Sequence, residues 1–184
     1  MTVAFWSISP RGSLSAGTKD IRMRQIREAI LADLPAIMPV IDAAREMMHR
    51  SGNVNQWING YPSEEVIAAD IARHGGLVVE DDERIVAYFA FLPAPEPTYE
   101  KIYEGAWLND DSYYVIHRLA SRPEEHGIFD CVIKWAFTQT PTLRVDTHRD
   151  NRIMQHNLEK HGFARCGIIY LANGDERLAY QKTI

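Results

Sequence analysis

A residue that trades protons at neutral pH is the first requirement of most catalytic sites. Imidazole suits the task, with an ordinary pKa of about 6.5. His117 stands near the head of the most informative stretch of this chain, YYVIHRLASRPEEHGIFDCVIKWAF over residues 113–137. It can act there as a general base, or lie inside a sheet with both ring nitrogens satisfied. The strand-like run 113–120 leads into a short polar turn holding Gly127. An amphipathic run follows, with Phe129, Val132, Ile133 and Ala136 at helical spacing. Strand, tight turn and helix together can present backbone N–H groups to an anion such as a phosphate. On a later strand candidate, Asp146 and His148 share a face with Arg144. They can bind a cationic acceptor or pair with Arg118 or Arg149. His156 reads as a surface residue. Cys131 and Cys166 have no activating neighbour and read as packed thiols. No histidine or cysteine spacing fits a zinc site, so no metal is expected.

The elements that must position these residues follow from periodicity. A short strand over 23–29 precedes a helix that Asp33 caps and that runs to about Arg50, with Leu34, Ile37, Met38, Ile41 and Met48 on its apolar face. The loop NVNQWINGYPS, residues 53–63, carries Trp57 and Tyr61, which either line a pocket or seal the core. Ser63 caps a second helix that ends at Gly75-Gly76. Residues 77–80 and 84–92 read as antiparallel strands around an acidic turn. The proline-rich insert 93–111 carries Tyr99, Tyr103 and Trp107 and is expected to fold over something. Residues 143–148 form a strand and 151–161 a short helix. Residues 163–171 and 177–182 form a hairpin through Asn173-Gly174. The strands flanking the 128–139 helix can be parallel neighbours across a right-handed crossover, and the other links suit antiparallel pairing. The expected fold is α/β (α+β): one mixed, mostly antiparallel sheet with helices on both faces.

The 184 residues favour a single domain over 22–184, after a flexible N-terminal extension over 1–21. A hydrophobic share of 46% against 24% charged excludes a disordered chain. No apolar run reaches the roughly 20 residues of a membrane span, and no basic-then-apolar leader opens the chain. Two unpaired cysteines suit a cytoplasmic setting. A net charge of −5 without a basic block argues against nucleic acid.

Three segments carry a family resemblance. IREAILADLPAIMPVI is similar to the opening strand and helix of the GCN5-related N-acetyltransferases (GNAT), and VIHRLASRPEEHGI to their central strand and acetyl-CoA loop. NRIMQHNLEKHGF resembles their later helix, which ends in Gly-Phe. With the element order, the resemblance spans residues 22–183 and points to an uncharacterised bacterial subgroup. It implies transfer of an acetyl group from acetyl-CoA to the primary amine of a small molecule by direct attack. The alternative keeps the fold as an acyl-CoA-binding or regulatory module.

By resemblance, backbone amides at Leu119, Ala120 and Ser121 meet the pantetheine arm and thioester. His126, Gly127, Ile128, Phe129 and Asp130 receive the pyrophosphate, and Asn151 contacts the cofactor arm. His117 is the candidate base. Gln56, Trp57, Tyr61, Tyr103, Trp107 and Asp146 are the candidate acceptor site, between the 53–63 loop and the insert. Two positions depart from the family pattern. Phe129 stands where a small residue lets backbone approach the phosphates. Leu158 stands where many members place a proton-donating tyrosine, and leucine has no proton to give. An edge strand of the final hairpin is free to pair in a homodimer.

Overall fold

The computed structural model describes residues 24–184. The expected extension over 1–21 lies outside the described residues. The elements run β1 (Gln25–Glu28), α1 (Leu34–Arg50), α2 (Glu64–Ala72), β2 (Gly76–Asp81), β3 (Arg84–Pro93), β4 (Tyr114–Ser121), α3 (Ile128–Gln139), β5 (Thr142–Thr147), α4 (Arg152–Lys160), β6 (Ala164–Tyr170) and β7 (Glu176–Thr183). The strands form one sheet in the order β1-β2-β3-β4-β5-β7-β6. β4 and β5 are parallel, joined through α3, and every other neighbouring pair is antiparallel.

Alternation along the strands divides the core. Leu77, Val79, Phe89, Phe91, Ile116, Leu143, Val145, Leu178 and Tyr180 face α3 and α4. Val78, Tyr88 and Ala120 face α1 and α2. The rest of that second face, Val115, Ile169 and Ala179, is covered by the insert through Tyr99 with Ile102, Trp107 and Tyr113. The insert therefore replaces a helix over the β5–β7 end of the sheet. Its backbone also pairs with the outer edge of β6: Tyr103 and Ile168 exchange N–H···O bonds of 2.8 Å, and Ala106 N–H donates to Cys166 O at 3.0 Å. At Cys166 and Ile168 the outer edge of β6, in the final hairpin, is thus paired with the chain's own insert.

Two local expectations change. Asp33 does not cap α1 with its side chain; its carboxylate accepts the Ile30 N–H at 2.9 Å, closing a 3₁₀ turn over Leu31–Asp33, and pairs with Arg27. In β4, Ala90 pairs with His117 while Tyr88 pairs with Ala120, so two residues, Arg118 and Leu119, oppose one. This is a β-bulge, and Arg118 takes a left-handed φ of 55° within it. The extra residue shifts the alternation: Leu119 packs with Ile116 against α3, whereas His117 points to Tyr99 on the opposite face. Simple alternation places Leu119 and His117 together; the bulge separates them.

Candidate active site

The parallel β4–β5 pairing lasts for only two residue pairs, Tyr114 with Leu143 and Val115 with Arg144. Beyond Val115 the strands part, and the β4 edge has no strand partner on that side. The gap opens into two adjoining cavities of about 510 Å³ each. Met48, Leu119, Phe129, Asn151 and Met154 line both, so the two form one continuous cleft.

His117 sits in the first cavity between two carboxylates. Its Nε2 donates to Glu96 at 3.2 Å, and its Nδ1 lies 3.6 Å from Asp146. The first reason that Glu96 sits well below the ordinary carboxylate range, at about 2, is the hydrogen bond from His117; Thr98 N–H and Oγ donate to it as well. Asp146 accepts a 2.6 Å bond from Tyr99, whose phenol is pushed far up, first by burial and then by Asp146 itself. Both imidazole nitrogens thus face side chains of the cleft, not sheet backbone. Neither alternative partner, Arg118 or Arg149, reaches Asp146; Arg149 pairs with Glu176, and the arginine near Asp146 is Arg177, at 4.0 Å. Glu96 escaped sequence reasoning, although a lone carboxylate between Pro95 and Pro97 in a long insert is a signal of its kind.

The opposite wall carries a buried ionic network. Asp70, fully buried, accepts two 2.7 Å bonds from Arg118, one of 2.9 Å from Arg73 and one of 3.0 Å from Tyr88. Arg118 Nη1 also donates to the Tyr61 hydroxyl at 3.1 Å. Gln56, Trp57 and Tyr61 line this cavity, and Trp57, 8% exposed, also packs in the α1/α2 core. Gln56 accepts from Asn53 and Asn151, tying that loop to the start of α4. Thr147 lines the same cavity and is fully buried.

The second cavity gathers Leu119, Ala120, Ser121, His126, Gly127, Ile128, Phe129, Asp130 and Asn151. Gly127 begins α3 with φ 74°, and no side chain caps the helix, so its first N–H groups are left to the cavity. Asn151 caps α4 by accepting Met154 N–H at 3.1 Å. The loop before α3 is pinned from below: Arg24 donates to Glu125 at 2.9 Å and to the His126 carbonyl at 2.5 Å, and Arg84 reaches Glu125 at 2.6 Å. The Phe129 ring packs edge-on against His161, 4.8 Å between centroids, at the junction of the cavities. Leu158 is fully buried in the α3/α4 core and offers the cleft nothing.

Two expected acceptor residues fall elsewhere. Tyr103 is half exposed, held by its β-bridge to Ile168, with its ring against Tyr170. Trp107 donates to the Tyr99 carbonyl and stacks on the Arg144 guanidinium, which lies between it and Tyr113. Neither lines the cleft, because the insert turns its aromatic face onto the sheet. Both thiols are pushed up by burial, consistent with packed cysteines. No helix among the described residues is long and apolar enough to cross a membrane.

The sheet is thus a mixed one that splays between its parallel strands, with an uncapped helix N-terminus at one end of the gap. No protein-family model and no curated protein matches the sequence. Among solved structures, a GNAT-family acetyltransferase from Streptococcus agalactiae matches at 34% identity and a TM-score of 0.80, over 88% of this chain and 95% of that one. The chain belongs to the GNAT family of acetyltransferases, and its reaction class is acetyl transfer. The fold is shared more widely. A GNAT acetyltransferase from Listeria monocytogenes matches at 19% identity and TM-score 0.65, over 88% and 95% of the two chains. A ribosomal-protein-alanine N-acetyltransferase from Brucella melitensis matches at 17% and 0.56, over 87% and 99%.

Proposed function

We propose that this protein moves the acetyl group of acetyl-CoA to a primary amine of a small molecule by direct attack. The observation that carries this reading is His117, braced by Glu96 and Asp146 at the point where β4 leaves β5. Acetyl-CoA supplies the activated thioester. The residues present fit it: the open β4 edge offers backbone groups at Leu119, Ala120 and Ser121, and the uncapped start of α3 offers N–H groups to an anion. Glu96 fixes Nε2–H, which leaves Nδ1 to accept a proton from the attacking amine; both carboxylates then stabilise the imidazolium. Their charge also attracts the ammonium ion, which gives a first proton to solvent. The neutral amine then attacks the thioester carbon, Nδ1 takes the second proton as the C–N bond forms, and the C–S bond breaks to release CoA as a thiolate. Joining both reactants in one cleft supplies much of the rate.

Calorimetric titration with acetyl-CoA, followed by thiol release over an amine panel, tests this reading. Micromolar binding and release that depends on an added amine are expected. His117→Gln should cut kcat about 10²-fold or more while the fold stays intact. Absence of acetyl-CoA binding by both the native protein and Phe129→Gly would overturn the reading. The second reading, an acyl-CoA-binding module without turnover, is favoured by the burial of Leu158; binding without release with any amine would support it.

A further inference from the structure

Resting on the acetyltransferase reading, we infer that the acceptor is an aminocarboxylate: its ammonium group faces Glu96 and Asp146, and its carboxylate faces Tyr61 and Arg118. The first cavity is electrically two-sided. On the α1/α2 side, Arg73 and Arg118 share the one carboxylate of Asp70, so two cations against one anion leave a single positive charge. On the insert side, Glu96, Asp146 and Asp175 meet one permanent cation, Arg177, so three anions against one cation leave two negative charges. His117 lies between the walls and, when protonated, reduces that excess to one. Amine capture alone does not account for the positive wall. A simple monoamine leaves it unused, and a polyamine meets like charge there.

The Arg118 guanidinium has five N–H bonds. Nε and Nη2 each give one to Asp70 and Nη1 gives one to Tyr61, so two remain for a ligand. The Tyr61 oxygen accepts from Arg118, which leaves the phenolic proton free to donate. Arg118 is held at φ 55° in the bulge, and its side chain is 11% exposed. Arg73 beside it is 61% exposed and screened by solvent, so the fixed and enclosed Arg118 is the cation that discriminates, more strongly than a mobile surface arginine would.

The test compares matched acceptors by thiol release from acetyl-CoA: α-amino acids, their carboxamides and the decarboxylated amines. The amino acid is expected to exceed both partners in kcat/KM by about tenfold or more. Tyr61→Phe, at a partly exposed ring that tolerates the change, should erode that preference several-fold, chiefly through KM. Equal or better transfer to the carboxamides or amines would overturn this inference and leave acetyl transfer standing. Full preference in Tyr61→Phe would also overturn it. Acetyl-CoA binding with no transfer to any member would overturn both this inference and the small-amine reading.

Discussion

An imidazole between two carboxylates gains its properties from both. Glu96 is shifted from an ordinary 4.5 down to about 2, first by the hydrogen bond from His117. A folded-state pKa below the unfolded one adds stability that is complete above about pH 4.5 and is lost as pH falls toward 2. Glu96→Gln should therefore cost on the order of 2 kcal/mol at pH 7, with the difference from the native protein vanishing near pH 2. Urea denaturation at a series of pH values measures it, and a constant difference across that range would refute the assignment. His117 and Asp146 were legible as residue types on strands. Glu96 was not, because its one local mark, a carboxylate between two prolines, does not say that the loop folds back onto the strand face bearing His117.

The insert and the bulge in β4 are the elements that turn a sheet into a site. The insert lies so close to β6 that insert and strand each carry a glycine at the contact. A Cβ on Gly105 would stand 2.0 Å from the Cys166 carbonyl oxygen, and one on Gly167, at φ 156°, 2.5 Å from the Tyr103 oxygen. Backbone cannot yield as a flexible side chain does. Gly105→Ala should destabilise the protein by about 2–4 kcal/mol and expose the β6 edge. Lower denaturation midpoints, with concentration-dependent association by light scattering, are the expected readouts. Element types and order could be read from periodicity, since alternation and helical spacing are local properties. The bulge could not: its one extra residue becomes visible only against the register of β3.

Across the whole molecule, Asp70 ties α2 to the centre of the sheet and sets the charge of one cleft wall. Asp70→Asn keeps the shape but leaves Arg118, with 11% of its side chain exposed, without its counter-charge. A loss of about 3–5 kcal/mol is expected, seen as a large fall in thermal midpoint; a change below 1 kcal/mol would mean that the pair is dispensable. The sequence by itself determined the class of fold, the glycine that opens α3 and the strand bearing His117, and it put a leucine at 158, where the family resemblance implies a tyrosine in many members. Each of these is written within a few residues, as a period, a turn or a side-chain type. Only the tertiary structure decided the partners: Glu96 reaches His117 across 21 residues, and Asp70 reaches Arg118 across 48. The same is true of Tyr103 and Trp107, which it took out of the cleft, and of the two charged walls. Contacts at such separations depend on strand order, on one bulge and on the path of the insert. These are fixed by the summed burial of many side chains, and no single segment encodes them.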